Sequence, residues 1–462
     1  MIGFVVQKEM RALWRDGRLL VLALSLCCLF AGVMAASAAA TANAQSERDQ
    51  VGATARAQWE RQGVKHPHRA AHFGIYAFKP ELALAAVDPG IGDQVGQSLW
   101  LEPHKRNMTR NRPAADAPPS ARLGDTVPAF VLLVLVPLLI IGLGHNAITQ
   151  ERESGTLRML NAAGLRGGTL LFGKWIALVL AVGIALLPAL VVGAWLLAGA
   201  GHVVSAPRLA FYGLGLVVYY AVFAALTVAL SARLRSSRGA LMLLLSLWIA
   251  AVWIVPRLGA AAAGALLPVP TGEAFAAAVA TDIQRGLPGD GDAASRSAAF
   301  EARLLAENGV TRPEDLPIGA NAARRIFRDA YATRVYALHF GRLWDRYADQ
   351  QNVLRVAGLL SPVVPMRGLS ASLAGTDLAH QRRFEEAAET YRQYFTVLID
   401  EWDLQARRGV VAADDKYAND AQYQAVAPFE YRAPPAAFAV VTAAPDLLLL
   451  FAWLAAAGCL VR

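Results

Sequence analysis

Six apolar runs, each about as long as a membrane-spanning helix, constrain this chain more than any other feature. They cover residues 19–41, 127–148, 170–199, 209–232, 240–267 and 440–461. A helix needs about 20 apolar residues to cross the hydrocarbon core of a bilayer, and each run supplies them. The sequence therefore predicts an all-α polytopic membrane protein with six transmembrane helices.

Composition agrees with that prediction. Of the 462 residues, 55% are hydrophobic and only 17% are charged, which is more apolar than a soluble core requires. The formal net charge is +8, and many of the basic residues stand beside apolar runs, where they orient spans, so no nucleic-acid partner is expected. The three cysteines also lie within apolar runs, so no disulfide framework is expected in the polar regions.

The basic residues predict an orientation for the spans. Arginines and lysines cluster before the first run, between the second and third runs, and between the fourth and fifth runs. By the positive-inside rule these flanks, and both termini, are cytoplasmic. Residues 42–126 then form a first periplasmic segment, and residues 268–439 form a larger, mostly helical periplasmic domain. The predicted location is the bacterial inner membrane.

The first 18 residues predict a helix that lies in the cytoplasmic interface, because Val6, Met10, Leu13 and Trp14 share one face. The following run ends in ATANA, which imitates the cleavage site of a secretory signal. Its uncharged length, from Leu19 to Gln45, is too great for a typical signal peptide. We therefore expect span one, residues 19–41, to be an uncleaved anchor.

Two apolar stripes in the second polar region predict long helices that pack together. One stripe repeats at spacings of four and three residues: Phe384, Ala388, Tyr391, Phe395, Leu398 and Trp402. The other comprises Phe327, Tyr331, Val335 and Leu338. These spacings are typical of helices with one packing seam, so a helical hairpin is predicted. Between the two stripes, residues 356–375 are apolar but interrupted by proline and glycine, and favour either a re-entrant piece or a buried linker.

Three motifs that suggest chemistry are rejected on closer inspection. GTLLFGKW (168–175) resembles a phosphate-binding loop, but Trp175 replaces the required Ser or Thr and no strand precedes it. GLSAS (368–372) lacks the second glycine of a nucleophile elbow. His66, His68 and His72 lie close together in sequence, but no fourth ligand is apparent, so a structural or solvated role is favoured over a metal site. No catalytic, cofactor-binding or metal-binding residue is therefore expected.

The stretch QERESGTLRML (150–160) stands out because it places four charges between two highly apolar runs. Ser154 or Thr156 is suited to cap a short helix, and Leu157 and Leu160 would project from one face of it. Gly164 suits the end of such a helix. A short amphipathic helix between two spans, within residues 151–168, is the form expected of a docking element.

At these residues the chain resembles the type-2 ABC transporter permeases. In that family an E-x-G-T pattern follows the second span, and a coupling helix and a lysine-bearing start of the third span come next. The residues that carry the likeness are Glu151, Arg152, Glu153, Ser154, Gly155, Thr156, Leu157 and Lys174. Residues 66–90 and 369–392 are also similar to a bacterial subgroup with large periplasmic insertions after the first and fifth spans.

The resemblance implies a permease subunit that pairs with separate cytoplasmic ABC ATPase subunits and with a second permease copy, identical or paralogous. ATP and magnesium would bind in the ATPase partner, and this chain would be no enzyme. The residues expected to couple to the ATPase are Glu151, Arg152, Glu153, Ser154, Gly155, Thr156, Leu157, Arg158 and Leu160. The charged members would set the docking register.

Two functions remain open at this point. One is export or extrusion of a substrate. The other is mechanotransmission, in which the ATPase moves the periplasmic domain against a periplasmic protein and nothing crosses the bilayer. The spans show no ionisable residue deep in their apolar cores, which mildly favours a hydrophobic or surface-extracted cargo.

Overall fold

Two helices joined by a left-handed glycine begin the chain. The computed structural model describes residues 1–112, 127–405 and 417–461. Helix α1 (Ile2–Arg15) is followed by Gly17, at φ 69°, and then by α2 (Arg18–Glu60). The apolar run predicted as span one therefore occupies only the first part of a 43-residue helix. Its polar second part continues past Thr41, where the sequence predicted only a polar segment.

The first polar segment, residues 61–112, contains short elements and a small sheet. Its helices are α3 (Pro67–Ala71) and α4 (Gly92–Val95), and its strands are β1 (Ile75–Phe78) and β2 (Ser98–Leu101). The strands pair antiparallel, with Ile75 opposite Leu101 and Ala77 opposite Leu99. The predicted all-α fold class is thus nearly right, because this hairpin and a few isolated bridges are the only β-structure in the described part of the chain.

The middle of the chain forms most of the apolar helices. In order these are α5 (Pro128–Phe130), α6 (Val136–Gly144), α7 (Thr149–Glu153), α8 (Thr156–Ala162), α9 (Gly167–Gly199), α10 (Ala206–Arg233), α11 (Ser237–Ile249) and α12 (Val255–Leu266). A π-helical turn joins α5 to α6 and another joins α11 to α12. GTLLFGKW (168–175) lies wholly within the first turns of α9, so the rejected phosphate-loop motif is helical.

A second polar region follows, and it is helical as predicted. It comprises α13 (Gly272–Arg285), α14 (Ala293–Glu307), α15 (Ala320–Ala357), α16 (Val363–Ala374), α17 (Leu378–Gln405) and α18 (Asp420–Ala425). Together with residues 61–112 and the end of α2, these helices other than α16 make the polar domain.

The chain returns to the apolar bundle through α19 (Ala436–Thr442) and α20 (Ala444–Leu460), which are bent by 60° relative to each other. In the described residues, five helices are long and apolar enough to cross a membrane, and a sixth is obtained if this bent pair counts as one span. The others run over Arg18–Glu60, Pro128–Glu153, Gly167–Gly199, Ala206–Arg233 and Ser237–Leu266. The protein is thus a plausible multi-pass membrane protein.

The seam predicted along α17 is buried, but it does not face the stripe predicted on α15. Phe384 packs on the two strands, and Phe395 packs edge-on against Trp59 of α2, with ring centroids 5.1 Å apart. On α15, Phe327 stacks on Phe300 of α14, and Val335 packs with Phe275 of α13. The predicted hairpin is therefore wrong in its packing faces.

The two helices instead meet through polar side chains. Arg325 of α15 pairs with Asp400 and Asp403 of α17 at 2.9 and 2.7 Å. Arg392 of α17, almost fully buried, donates to the hydroxyl oxygen of Thr333 at 3.1 Å. A single-sequence stripe cannot show this, because apolar spacing identifies a packing face but not its partner.

Residues 356–375 contain a short helix that protein surrounds. Val363, Met366, Leu369 and Leu373 of α16 are fully buried, and α16 packs between α10 and α20. The exposed large apolar side chains of this stretch all precede α16, at Val356, Leu359 and Leu360. Of the two predicted alternatives, a buried linker and a re-entrant piece, burial of α16 inside the protein favours the first.

Candidate functional site

The charged loop, residues 149–164, contacts four other elements: α1, α9, α10 and α11. It consists of α7, a turn and α8, and it leads from the end of α6 to the start of α9. The apolar helices on either side bring the ends of α6 and α10 and the starts of α9 and α11 to this same end of the bundle. The site residues predicted from the sequence therefore do lie together, though not all with one role.

Glu151 holds the N-terminal helix against the start of α9. Its carboxylate accepts hydrogen bonds from the ammonium groups of Lys8, at 2.9 Å, and Lys174, at 3.2 Å. Glu9 also contacts Lys174 at 2.9 Å, so the four side chains make one network of alternating charge. Lys174 is only 5% exposed, and burying an ammonium group is costly unless such partners are present.

The same network affects Lys8. Burial alone would lower the pKa of Lys8, but its hydrogen bonds to Glu151 and Glu9 raise it overall. The ammonium group therefore remains charged at neutral pH and keeps α1 attached to the loop. The amphipathic N-terminal helix was predicted as a membrane-surface element. It also has a fixed partner in the protein, since Val5 packs against Gly173.

Arg152 and Glu153 cap the ends of two other helices. Arg152 donates to the backbone carbonyls of Ala232, at 2.7 Å, and Leu234, at the end of α10. Glu153 accepts from the backbone amide and hydroxyl of Ser237, at 2.7 and 2.8 Å, at the start of α11. Each charge suits the helix end that it meets, positive at a carboxyl end and negative at an amino end. These contacts assign both residues to holding the bundle together.

The turn between α7 and α8 depends on Gly155. Its φ of 80° places it in the left-handed region, and it occupies the cap position of α8 with no side chain as a cap. The predicted capping by Ser154 or Thr156 is therefore wrong. The Ser154 and Thr156 hydroxyls lie 2.9 Å apart, and Thr156 donates back to Glu151, both to its carbonyl at 3.2 Å and to its carboxylate. Gly164, at φ 83°, ends the loop as predicted.

Helix α8 has an inner and an outer face. Leu157 and Leu160 pack inward against Val5, Ile148 and Leu170. The predicted apolar face is therefore used within the chain.

On the outer face of α8, Arg158 is exposed and pairs with no other described residue, and Met159 is 72% exposed. The outer face, which carries Arg158 and Met159, is exposed.

Sequence reasoning missed Met159, Lys8 and Glu9 as parts of this site. Met159 was passed over because the helical spacing selects Leu157 and Leu160, and a single exposed methionine carries no periodic signal. Lys8 and Glu9 lie more than 140 positions from Glu151. No local pattern links residues at that separation.

A second polar cluster, which we call the junction, lies at the opposite end of the bundle. It consists of α16, residues 83–92, Arg208 and Asp446. Arg208, in the first turn of α10, is 3% exposed and donates to the carbonyls of Leu373 and Pro434, both at 2.7 Å. Thr376, just after α16, donates to the carbonyl of Asp88 at 3.0 Å.

Asp446 corrects the expectation that the spans lack buried ionisable groups. It lies in the first turn of α20, is 2% exposed, and pairs with Arg355 of α15 at 3.2 Å. Arg257 is likewise within the fifth apolar helix, beside Trp253. Both residues line a cavity of about 680 Å³ between α11–α12, α15 and α16. Its apolar wall includes Val252 and Ala260.

Comparisons with known proteins agree with the class of protein that this fold defines, a multi-pass membrane protein with a large polar domain. Residues 273–432 match a family described as a domain of unknown function (DUF3526). The match runs from α13 through α18 and omits the charged loop. No curated protein matches the chain.

Proposed function

We propose that this protein is the membrane subunit of an ATP-binding cassette system and that its charged loop couples it to a separate ATPase. The observation that carries the proposal is the two-sided helix α8. Its inner leucines are packed against α1 and the start of α9, while Arg158 and Met159 face outward. A short helix fixed in this way passes a push on its outer face to the helices that it contacts.

The connections of the loop support the same proposal. Glu151, Arg152 and Glu153 join it to α1, α9, α10 and α11. A displacement of the loop would therefore move four elements together instead of bending one flexible connection. The resemblance of residues 150–177 to type-2 permeases supports ATPase contact at this position. In that arrangement ATP and magnesium bind in the partner, and a second permease copy, identical or paralogous, completes the assembly.

Transport of an amphipathic substrate is the first form of this function. The 680 Å³ cavity combines an apolar wall with the guanidinium groups of Arg257, Arg355 and Arg367 and the carboxylates of Asp377 and Asp446, so the charged groups of its lining carry a net charge of +1. Such a surface suits a molecule with an apolar body and an anionic group. The sequence-based expectation of a hydrophobic or surface-extracted cargo is accordingly narrowed to an anionic amphiphile.

Mechanotransmission is the second form, and the junction favours it. Helix α16 contacts α10 and α20 on one side and residues 83–86 of the polar domain on the other. Movement of the bundle would pass directly to the polar domain, which under the predicted orientation is periplasmic and would act on a periplasmic protein. Substrate-stimulated ATP hydrolysis favours transport, whereas stimulation by a periplasmic protein favours transmission.

Coupled ATPase activity in proteoliposomes tests the proposal. The permease would be purified with the ATPase from a neighbouring reading frame. Gly155→Pro and Leu157→Asp should abolish coupling without loss of membrane insertion, because they disrupt α8. Met159→Asp should reduce coupled activity at least about tenfold, because a hot-spot side chain commonly contributes more than 1.4 kcal/mol to an interface.

Val203→Asp is the matched control, because Val203 is 92% exposed but lies in the loop between α9 and α10 at the other end of the bundle. It should retain full coupling. Unchanged coupling in Leu157→Asp and Met159→Asp would contradict the assignment of the charged loop.

A further inference from the structure

Three histidine side chains converge on one side of the polar domain. His68 and His72 flank one helical turn at α3, and His104 follows β2. The ring centroids of His68 and His72 lie 4.7 Å apart, and those of His104 lie 5.0 and 5.1 Å from them. One ring nitrogen from each residue lies within 4.8 Å of the others. Imidazole nitrogens in such a triangle are the usual ligands of zinc and related divalent transition metals.

The distance between two of the ligand atoms fits metal coordination. The Nε2 atoms of His68 and His72 are 3.3 Å apart. Two nitrogens bound at about 2.0–2.1 Å in tetrahedral geometry lie roughly 3.4 Å from each other. A hydrogen bond between two imidazoles also has this length, but it has no need for a third ring equally close to both. His104 supplies that third ring.

Asp329 of α15 orients His104 in the way that metal sites require. Its carboxylate lies 2.6 Å from Nδ1 of His104, which leaves Nε2 as the free nitrogen of that ring. A carboxylate that accepts from the second nitrogen of a metal-bound histidine fixes the tautomer and makes the ligand more basic. This support comes from a helix more than 200 positions along the chain, so it is a property of the fold.

The surrounding charges favour a dication. Asp329, Asp400 and Asp403 stand against the single guanidinium of Arg325, which gives these four groups a net charge of −2. His72 is exposed, which leaves a path from solvent.

We propose that His68, His72 and His104 form a binding site for a divalent transition metal of the zinc class, with Asp329 as its supporting carboxylate. Solvent completes the coordination at a fourth position. The ion joins the first polar segment, which carries the three ligands, to α15. His66, which seemed part of the same cluster in the sequence, is directed to Asp403 at 3.2 Å and is no ligand.

Zinc titration of the full-length protein in detergent tests the site. After treatment with EDTA, the protein should take up one Zn²⁺ per chain in competition with a chromophoric chelator. His72→Ala and His104→Ala should lose this stoichiometric binding. Asp329→Asn should weaken it by roughly 10- to 100-fold, the usual effect of losing an outer-shell partner. Loading with Co²⁺ should give the visible spectrum of a tetrahedral site in the wild-type protein and not in His104→Ala.

His66→Gln is the matched control, because it changes a histidine in the same segment and should keep one Zn²⁺ per chain. Since His72 is exposed, its alanine variant should fold as the wild type does, which circular dichroism would check. Binding that survives in both His72→Ala and His104→Ala would overturn the site. Equal loss in His66→Gln would overturn the assignment of ligands.

Discussion

The charged loop and the junction occupy opposite ends of the same bundle and use charge differently. They are joined by α10, which separates Arg208 from Arg233 by roughly 40 Å of helix. In the loop, charged side chains cap helix ends while an outer face stays exposed at Arg158 and Met159. At the junction, Arg208 and Asp446 are buried, and each is paired with another group of the protein. The comparison indicates that the charged loop is suited to docking, whereas the junction holds the bundle and the polar domain together.

Replacing an arginine by leucine at each end should give the largest contrast. Arg208→Leu leaves several buried carbonyls without a donor, so we expect it to lower the free energy of unfolding by at least about 3 kcal/mol. Arg158→Leu removes an exposed, unpaired side chain and should change stability by less than about 0.5 kcal/mol. Denaturant unfolding in detergent measures the change in the free energy of unfolding for both variants. Similar changes at the two sites would contradict the distinction between the charged loop and the junction.

Replacing a glycine by alanine at each end should give a smaller contrast with two different causes. At Gly368 of α16 the backbone is helical, but a Cβ atom would lie 2.8 Å from the carboxylate of Asp446. We expect a loss of about 2 kcal/mol from this overpacking. At Gly155 a Cβ atom meets nothing within 4 Å, but the positive φ makes alanine unfavourable by about 1 kcal/mol.

A double variant separates those causes. Gly368→Ala should cost less stability in an Asp446→Ala background than in the wild-type protein, because the clashing carboxylate is gone; the single variant Asp446→Ala measures the separate loss of the pair with Arg355. No second substitution should relieve Gly155→Ala in this way, because the strain in that variant lies in the backbone. Failure of the first rescue would show that α16 and α20 are less closely packed than the structure indicates.

The sequence predicts what depends on local periodicity. The apolar helices, the buried seam of α17 and the existence of a short helix at 156–162 all follow from spacing within one segment. The same information could not show that Leu157 and Leu160 face α1, or that the stripe on α15 packs on α13 and α14 and not on α17. Those outcomes depend on which element occupies the adjacent space.

The polar features were harder to predict for the same reason. Glu151 depends on Lys8, Arg208 on a carbonyl group in the last turn of α16, and His68 on His104. In each case the residue type was visible in the sequence but its partner was not. The sequence favours a structural or solvated role for the histidines because the third close ring, that of His104, lies beyond the β-hairpin, where a local motif cannot reveal it.

Site-specific photo-crosslinking tests the central claim most directly. A photoreactive residue would be placed at Met159, or at Val203 as the control, in cells that make the permease and its ATPase. We predict a crosslink to the ATPase from position 159 and none from position 203. A crosslink from position 203, or none from position 159 when the two proteins co-purify, would contradict the assignment of the charged loop as the ATPase-docking site.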